Sequence, residues 1–544
     1  MRIRFLTVSF FAKNGLTLET CLASSPDPGL EAVAEAEKWR QRMLQKWKAV
    51  SCGAGAASTG DDQRRPPCVA LLLPMLIPAT LALLLTYIAF VPDLGAGGLY
   101  RWRRLHDGVA DGAADGAKAR TTTLSHIVFG IGASARTWDR RRGYAELWWR
   151  PGQMRGHVWL DEEPASPWPE TSPPYRVSTE DTSRFGRRAY VSRLSRIVAD
   201  SFSAVAAEAA AANGTASGDE VRWFVTGDDD TVFFPDNLAA VLRRYDHEEM
   251  YYVGAPSESV EQDTAYSYGM AFGGGGFALS YPAAAALARA MDDGCLDRYI
   301  TLRHSDERVH ACLSELGIPL TREPGFHQVD ITGDAYGMLA AHPVAPLVSL
   351  HHLDHIRPII PGMTALDAVA SLVRASQLDP AQTLQQSFCY DHGPGYNLSV
   401  SVSWGYTVQV YPWAVPAVEL EVPLQTFKTW RGRPNGPFVF NTRPLSPGGV
   451  CAGPVFFFLS RLRNETGGGG ATVTEYTRRA VRPGKECDEP GFRAASTVQS
   501  VRVFASKMSP SDWERVTCTA AALLSGGEDY DAGVSTGGAD KTVC

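Results

Sequence analysis

No clustered excess of lysine and arginine of the kind that phosphate binding calls for appears in this 544-residue sequence, whose 52 basic side chains are outnumbered by 59 acidic ones for a formal net charge of -7. A nucleic-acid binder gathers basic charge against phosphates, so nucleic acid is not an expected partner. No internal repeat is visible either. Charge is missing altogether from one long apolar run, Cys68 to Val91, "CVALLLPMLIPATLALLLTYIAFV". As a helix that run is long enough to cross a hydrocarbon core about 30 Å thick. Pro74 and Pro78 fall in its first half, where a membrane helix tolerates them. It lies too far from Met1 for a cleaved signal peptide and reads as a transmembrane signal anchor.

Flanking charge does not orient this span. Arg64 and Arg65 precede it, and Arg101, Arg103 and Arg104 follow it. Three sequons, at Asn213, Asn397 and Asn464, all follow the span and are usable only in a secretory lumen. Seven of the cysteines also follow it (Cys295, Cys312, Cys389, Cys451, Cys487, Cys518 and Cys544), with no metal-type spacing, as expected for structural disulfides in an oxidising compartment.

The composition divides the rest. Residues 1–67 read as a poorly structured cytoplasmic tail, 68–91 as the anchor and 92–123 as a flexible stem too rich in glycine and alanine to build a core. From Leu124 strand and helix patterns take turns: "HIVFGIG", "GHVWLDE", "VRWFV" and "MYYVGAP" as strands, "SARTWDRRRGYAELWWRP" and "PDNLAAVLRRYDH" as helices. "RRAYVSRLSRIVADSFSAVAAEAAAA" reads as one helix, and "SDERVHACLSELG" as another, capped by Ser305 and ended by Gly317. Such alternation predicts an α/β layer structure with a largely parallel sheet over 124–374. After about residue 375 helical patterns fade and "YNLSVSVSWGYTVQVYP" alternates strictly, which predicts a β-rich C-terminal region, 375–544.

Within the α/β part, "WFVTGDDDTVFF" sets three aspartates at the end of a short buried strand, and in open parallel sheets ligand sites gather beyond the carboxyl ends of strands. Asp228 and Asp230 form an Asp-x-Asp pair whose oxygens suit Mn²⁺ or Mg²⁺, which would in turn hold a diphosphate. A solvated loop is the competing reading, weakened because "TVFF" resumes at once. Gly273, Gly274, Gly275 and Gly276 lie about 45 residues on; without side chains they let a ligand come against the backbone and permit positive φ.

In this order, "WFVTGDDDTVFF", "GGGGFALS", "HSDERVHACLSELGIPLTREPGFHQ" and "LVSLHHLD" resemble the inverting β-1,3-glycosyltransferases of the secretory pathway that include Fringe and the core 1 galactosyltransferase, most closely the fringe-related proteins of plants. The resemblance spans roughly Leu124 to Pro361. It implies a GT-A-type nucleotide-sugar-binding sandwich, a UDP-sugar donor held through Mn²⁺, and a glycan or glycoprotein acceptor. It assigns Asp230 to the metal, Asp228 to both metal and donor, and Asp306 as the catalytic base; Asp229 joins the candidate donor-binding residues. An inverting transfer needs one base to take the proton of the attacking hydroxyl. A capping-box role for Asp306 and Glu307 as the base stay open. His351 aligns best as the metal-binding histidine; His352 beside it and His327, which matches a Phe-His segment of Fringe, are the alternatives. Ser134 and Arg140 stand where relatives begin to bind the nucleotide, though the threonines and lysine of Fringe are absent there. Cys295 and Cys312 bracket the approach to Asp306, either as a disulfide that fixes it or as two buried thiols.

The expectation is a single-pass type II Golgi membrane protein with a lumenal, metal-dependent inverting glycosyltransferase, forming a β-1,3 linkage. The rival reading is a non-catalytic carbohydrate-binding or scaffolding protein on the same fold.

Overall fold

The computed structural model describes residues 121–510 apart from short stretches at 180–181, 212–219, 343–345, 394, 434–435, 446–450, 452, 466–469 and 479–486, together with the strands 7–9 and 520–525. The anchor at 68–91, nearly all of the tail and stem, Asn213, Cys518 and Cys544 lie outside the described residues. Among those described, no helix is long and apolar enough to cross a membrane.

A seven-stranded mixed sheet lies at the centre of the α/β part. Its strands run in the order Tyr175–Val177, Arg155–Leu160, Ile127–Gly132, Trp223–Asp228, Phe277–Ser280, Tyr252–Gly254 and Leu320–Arg322. Phe277–Ser280 is antiparallel to both neighbours, and the other pairings are parallel. Both faces are buried, so the strands are apolar at successive positions and the pleat sorts them. Ile127, Phe129, Ile131, Trp223 and Val225 enter one core with Trp138, Trp148 and Leu372 from the helices Ala135–Trp148 and Ala365–Leu378. Val128, Phe224, Tyr252 and Leu279 enter the other core, with Val198, Leu287 and Leu313 from the helices Ile197–Ala211, Tyr281–Asp292 and Ser305–Glu315. The result is a mixed α/β structure in three layers.

Two local expectations change. The segment read as one helix from 187 to 212 is two, Ala189–Ser195 and Ile197–Ala211, because the chain tightens at Arg196, whose N–H donates to the carbonyls of both Ser192 and Arg193. The helix over 305–315 is capped at His304, with Ser305 its first helical residue.

The β-rich region forms a second, antiparallel sheet from Gln386–Gly393, Tyr396–Ser403, Thr407–Tyr411, Val455–Asn464, Ala471–Arg478 and Ser500–Ser506, with 520–525 and 7–9 at its end. Alternate residues Val400, Val402, Val408, Val410, Tyr476 and Val503 build its own core. It is nonetheless joined to the first part. Tyr406, Phe427 and Phe458 pack in the same core as Phe129 and Trp148, and the expected boundary at 374–375 falls inside the helix Ala365–Leu378.

A small three-stranded sheet positions the site. Ser349–Leu350 runs antiparallel to Val232–Phe233 and parallel to Phe326–His327. Leu350 pairs with Val232, so the next residue, His351, is carried toward the turn that holds the aspartates.

Candidate functional site

Strand Trp223–Asp228 ends level with Gly132 of its neighbour, and the three aspartates follow from that carboxyl edge into a tight turn. Thr231 closes the turn: its N–H donates to the Asp228 carbonyl at 3.1 Å, and its hydroxyl accepts from the Asp228 N–H at 2.7 Å and donates to the Gly274 carbonyl at 2.8 Å. One short loop thus ties the acidic run to the glycines.

The three carboxylates part company. Asp230 is 2% exposed, with Oδ1 3.1 Å from Nε2 of His351 and Oδ2 3.3 Å from Arg141. Asp228 reaches the same imidazole nitrogen at 3.7 Å. Asp229 turns the other way, toward the helix Ala135–Trp148, where Arg141 pairs with it at 2.8 Å and the Thr137 hydroxyl lies at 3.4 Å. Of the donor-binding set, Asp229 therefore faces a structural cation rather than the cleft.

Asp228, Asp230 and His351 each offer a ligand atom, all within 4.8 Å of one another. The donor set fits a divalent cation: two hard carboxylate oxygens and one neutral imidazole nitrogen. A buried Asp230 Oδ1 has no hydrogen-bond partner despite its proximity to His351, so these two atoms are close without being aligned for a hydrogen bond. Atoms around a shared ion sit in that way.

The electrostatics are divided in the same manner. Burial and the charges of Asp230, Asp229 and Asp306 push the Asp228 carboxyl up to about 7 against the pull of His351. Burial acts on Asp230 too, but His351 and Arg141 outweigh it and hold its carboxyl well below the ordinary range. For His351, desolvation is overcome by the two aspartates, which raise it.

The glycines serve the protein's own side chains. A β-carbon on Gly274 would lie 2.1 Å from Cε1 of His351, so only glycine lets the imidazole lie there. The Gly273 N–H donates to Oδ2 of Asp306 at 3.0 Å. Gly275 donates to Gln328 at 2.6 Å, and Gly276, with φ +81, packs its backbone on Phe233. Gly273 and Gly274 line the cleft; Gly275 and Gly276 sit behind it.

Asp306, in the first turn of the helix Ser305–Glu315, accepts from Gly273 and, through Oδ1, from the Glu307 N–H at 2.9 Å. Its carboxyl is raised, desolvation first. Glu307 takes the capping role instead, accepting from the N–H groups of Arg303 and His304 at 3.0 and 2.9 Å. Asp306 alone of the pair lines the cleft of about 360 Å³ that also holds Asp228, His351 and His352.

The remaining candidates separate clearly. His352 pairs with the buried Asp330 at 3.1 Å and stacks on Trp430 at 4.6 Å. His327 is buried in a different network, 3.0 Å from Glu258 and 2.9 Å from His342. Ser134 donates to Asp161 at 3.0 Å, and Arg140 is exposed; neither lines the cleft. Sequence reasoning missed Arg141, whose signal was its four-residue spacing from Thr137 on one helix face. It also missed Asp330 and Trp430, for which no local signal exists. Cys295 and Cys312 are bonded, as are Cys451 and Cys487; Cys389 is buried.

Parts of the chain are similar to known proteins. A family model described as Fringe-like matches residues 184–335, and a second, described as a protein of unknown function, DUF604, matches residues 262–521. A β-1,3-glucosyltransferase of Mus musculus is 30% identical over 173 residues, which are 31% of this chain and 33% of that protein. The chain thus matches about a third of the length of that curated relative. A crystal structure of a glycosyltransferase involved in the glycosylation of the major capsid of PBCV-1 aligns over 46% of this chain and 98% of its own, at 12% identity and a TM-score of 0.21, a likeness too low to carry an argument.

Proposed function

From the premise that this chain belongs to the Fringe-like glycosyltransferase family, as residues 184–335 show, we propose that it moves a sugar from a UDP-sugar to a hydroxyl of a glycan or glycoprotein with inversion, forming a β-1,3 linkage. One observation carries the reading: Asp228, Asp230 and His351 converge within 4.8 Å at a cleft that Asp306 also lines.

Asp228, Asp230 and His351 would hold a divalent cation, Mn²⁺ or Mg²⁺, which when bound supplies Lewis-acid neutralisation of the departing diphosphate. The chain's own residues do the rest. Asp306, desolvated and raised, takes the proton of the acceptor hydroxyl at Oδ1 or Oδ2 as that hydroxyl attacks the anomeric carbon. A raised carboxyl is a better proton acceptor than a free surface one. The Gly273 N–H fixes the orientation of the carboxylate, which removes a rotational search from the step. Arg141 neutralises Asp229 and Asp230, so the acidic turn stays folded.

We also place this chemistry in a secretory lumen, anchored at 68–91. Two disulfides and the exposure of Asn397 and Asn464 support that placement. The test of the function is Asp306→Asn: turnover with a UDP-sugar should fall by about a thousandfold or more while UDP affinity in Mn²⁺ stays within about twofold. A fully active variant would remove Asp306 from the role of base.

A further inference from the structure

Among the described residues, the C-terminal region reaches the cleft at Trp430. Strand Phe427–Thr429 pairs antiparallel with Ile331–Gly333, in the register Thr429 to Ile331. Beyond it the chain folds back in a tight turn: the Gly432 N–H donates to the Thr429 carbonyl at 2.7 Å, Thr429 and Arg433 exchange backbone and side-chain hydrogen bonds, and Gly432 takes φ +78. Trp430 sits in this turn and lines the same cleft as Asp306.

The turn is clamped from the other side as well. Arg433 pairs with Glu261 at 3.0 Å, Phe438 bridges to Ser259, and the Val439 N–H donates to the Glu258 carbonyl at 3.1 Å. Against Trp430 stands His352, stacked at 18° and 4.6 Å, held by buried Asp330, and kept at φ +52, a conformation that non-glycine residues seldom adopt. A half-buried indole on a rigid turn, braced by a strained histidine, is more than core packing requires; such strain is kept where function uses the geometry.

We propose that Trp430 is the stacking wall of the acceptor subsite, and that the C-terminal region thereby completes the active centre for a pyranose-bearing acceptor. The proposal rests on the glycosyltransferase reading given above. A pyranose presents an apolar C–H face that lies well on an aromatic ring, whose face carries the negative end of its quadrupole, while its hydroxyls reach polar neighbours. The cleft holds Asp306, the group that meets the acceptor hydroxyl, together with Asp228 and His351 on the diphosphate side, and the acceptor is favoured over the nucleoside by what the cleft leaves out. Residues 132–141, at the carboxyl end of the first strand and the helix after it, do not line it.

The experiment uses the full chain with UDP and Mn²⁺ present and the methyl glycosides of glucose, galactose and fucose as probes. Saturation-transfer NMR reads sugar contact, and calorimetry reads UDP affinity in the same samples. Trp430→Ala should weaken binding of the preferred glycoside by about tenfold, and Trp430→Phe should restore most of it, with UDP affinity within about twofold of the parent throughout. Unchanged glycoside binding in the alanine variant overturns the proposal, as does failure of all three probes to bind the parent. A loss confined to UDP would assign the indole to the nucleotide instead and overturn it too. Absence of cation-dependent UDP binding in the parent is a separate result, which strikes the functional reading itself.

Discussion

Gly274 has no room for a β-carbon, and the atom it would strike belongs to His351. Its φ is not in the left-handed region, so the constraint is contact alone. Gly274→Ala must therefore displace the imidazole or the backbone, at about 1–3 kcal/mol of overpacking. Cation-dependent UDP binding should fall by about tenfold or more in calorimetry, whereas Gly269→Ala, whose β-carbon would meet nothing closer than 3.5 Å, should leave it unchanged. Asp263 offers a second check. It is 1% exposed and accepts from the Ser257 N–H at 2.9 Å, but burial first, then the charges of Glu258 and Asp330, push its carboxyl up to about 7. The native state thus keeps a proton that the unfolded chain has released near pH 4. Stability is lost as pH rises from about 4 to about 7 and is level above that. Asp263→Asn should then be the more stable protein at pH 8, by about 1–3 kcal/mol, with the gain vanishing near pH 4.5 in urea titrations. At this scale the sequence was most informative where residues are adjacent. Asp228 and Asp230 announce themselves by local context, whereas the glycines gain meaning only together with them and Asp306 only through the family resemblance. Trp430 has no such signal, because it meets His352 only through a strand pairing about 100 residues distant in sequence.

The helix Ser305–Glu315 carries Asp306, and its fixation is a matter of several bonds rather than one. Arg308, fully buried, donates to the carbonyls of Ile300 and Leu302 at 3.1 Å each and to the Ser192 hydroxyl. The Cys295–Cys312 disulfide staples the helix to Cys295–Arg298 across 17 residues of sequence. A loop of that length corresponds to about 3 kcal/mol of restrained unfolded-chain entropy. The double replacement of Cys295 and Cys312 by Ser should lower thermal stability by about that amount in a melting experiment, with turnover falling at temperatures well below the new midpoint as the helix start loosens. An unchanged melt would show that the staple adds nothing to Arg308. Alternation of strand and helix was legible because a doubly covered sheet needs apolar strands between amphipathic helices. The break at Arg196 was not, since no glycine or proline marks it, and the bonds to Ser192 and Arg193 that tighten it are backbone bonds. Nor was the reversed strand Phe277–Ser280, because strand direction leaves no trace in residue pattern.

For the whole molecule, the β-rich region reads from sequence as a separate addition, yet its Tyr406, Phe427 and Phe458 lie in the core of the α/β part. A chain ended at residue 374 would cut the helix Ala365–Leu378 and expose those contacts. It should fail to give a soluble monomer, and the intact protein should melt in one calorimetric transition spanning both sheets. Two well-separated transitions would contradict the shared core. Composition betrayed the change of character near residue 375 because strict alternation begins there, but a core built from both sides of that point is invisible to any window along the chain.

The central claim is that the acidic turn and His351 grip a cation that carries a nucleotide's diphosphate beside Asp306, and calorimetric titration of UDP into the full-length protein tests it most directly. With Mn²⁺ present UDP should bind, with chelator added the affinity should drop by at least about a hundredfold, and Asp230→Asn should abolish the difference while Asp306→Asn keeps it. Equal UDP affinity with and without the cation would contradict the account.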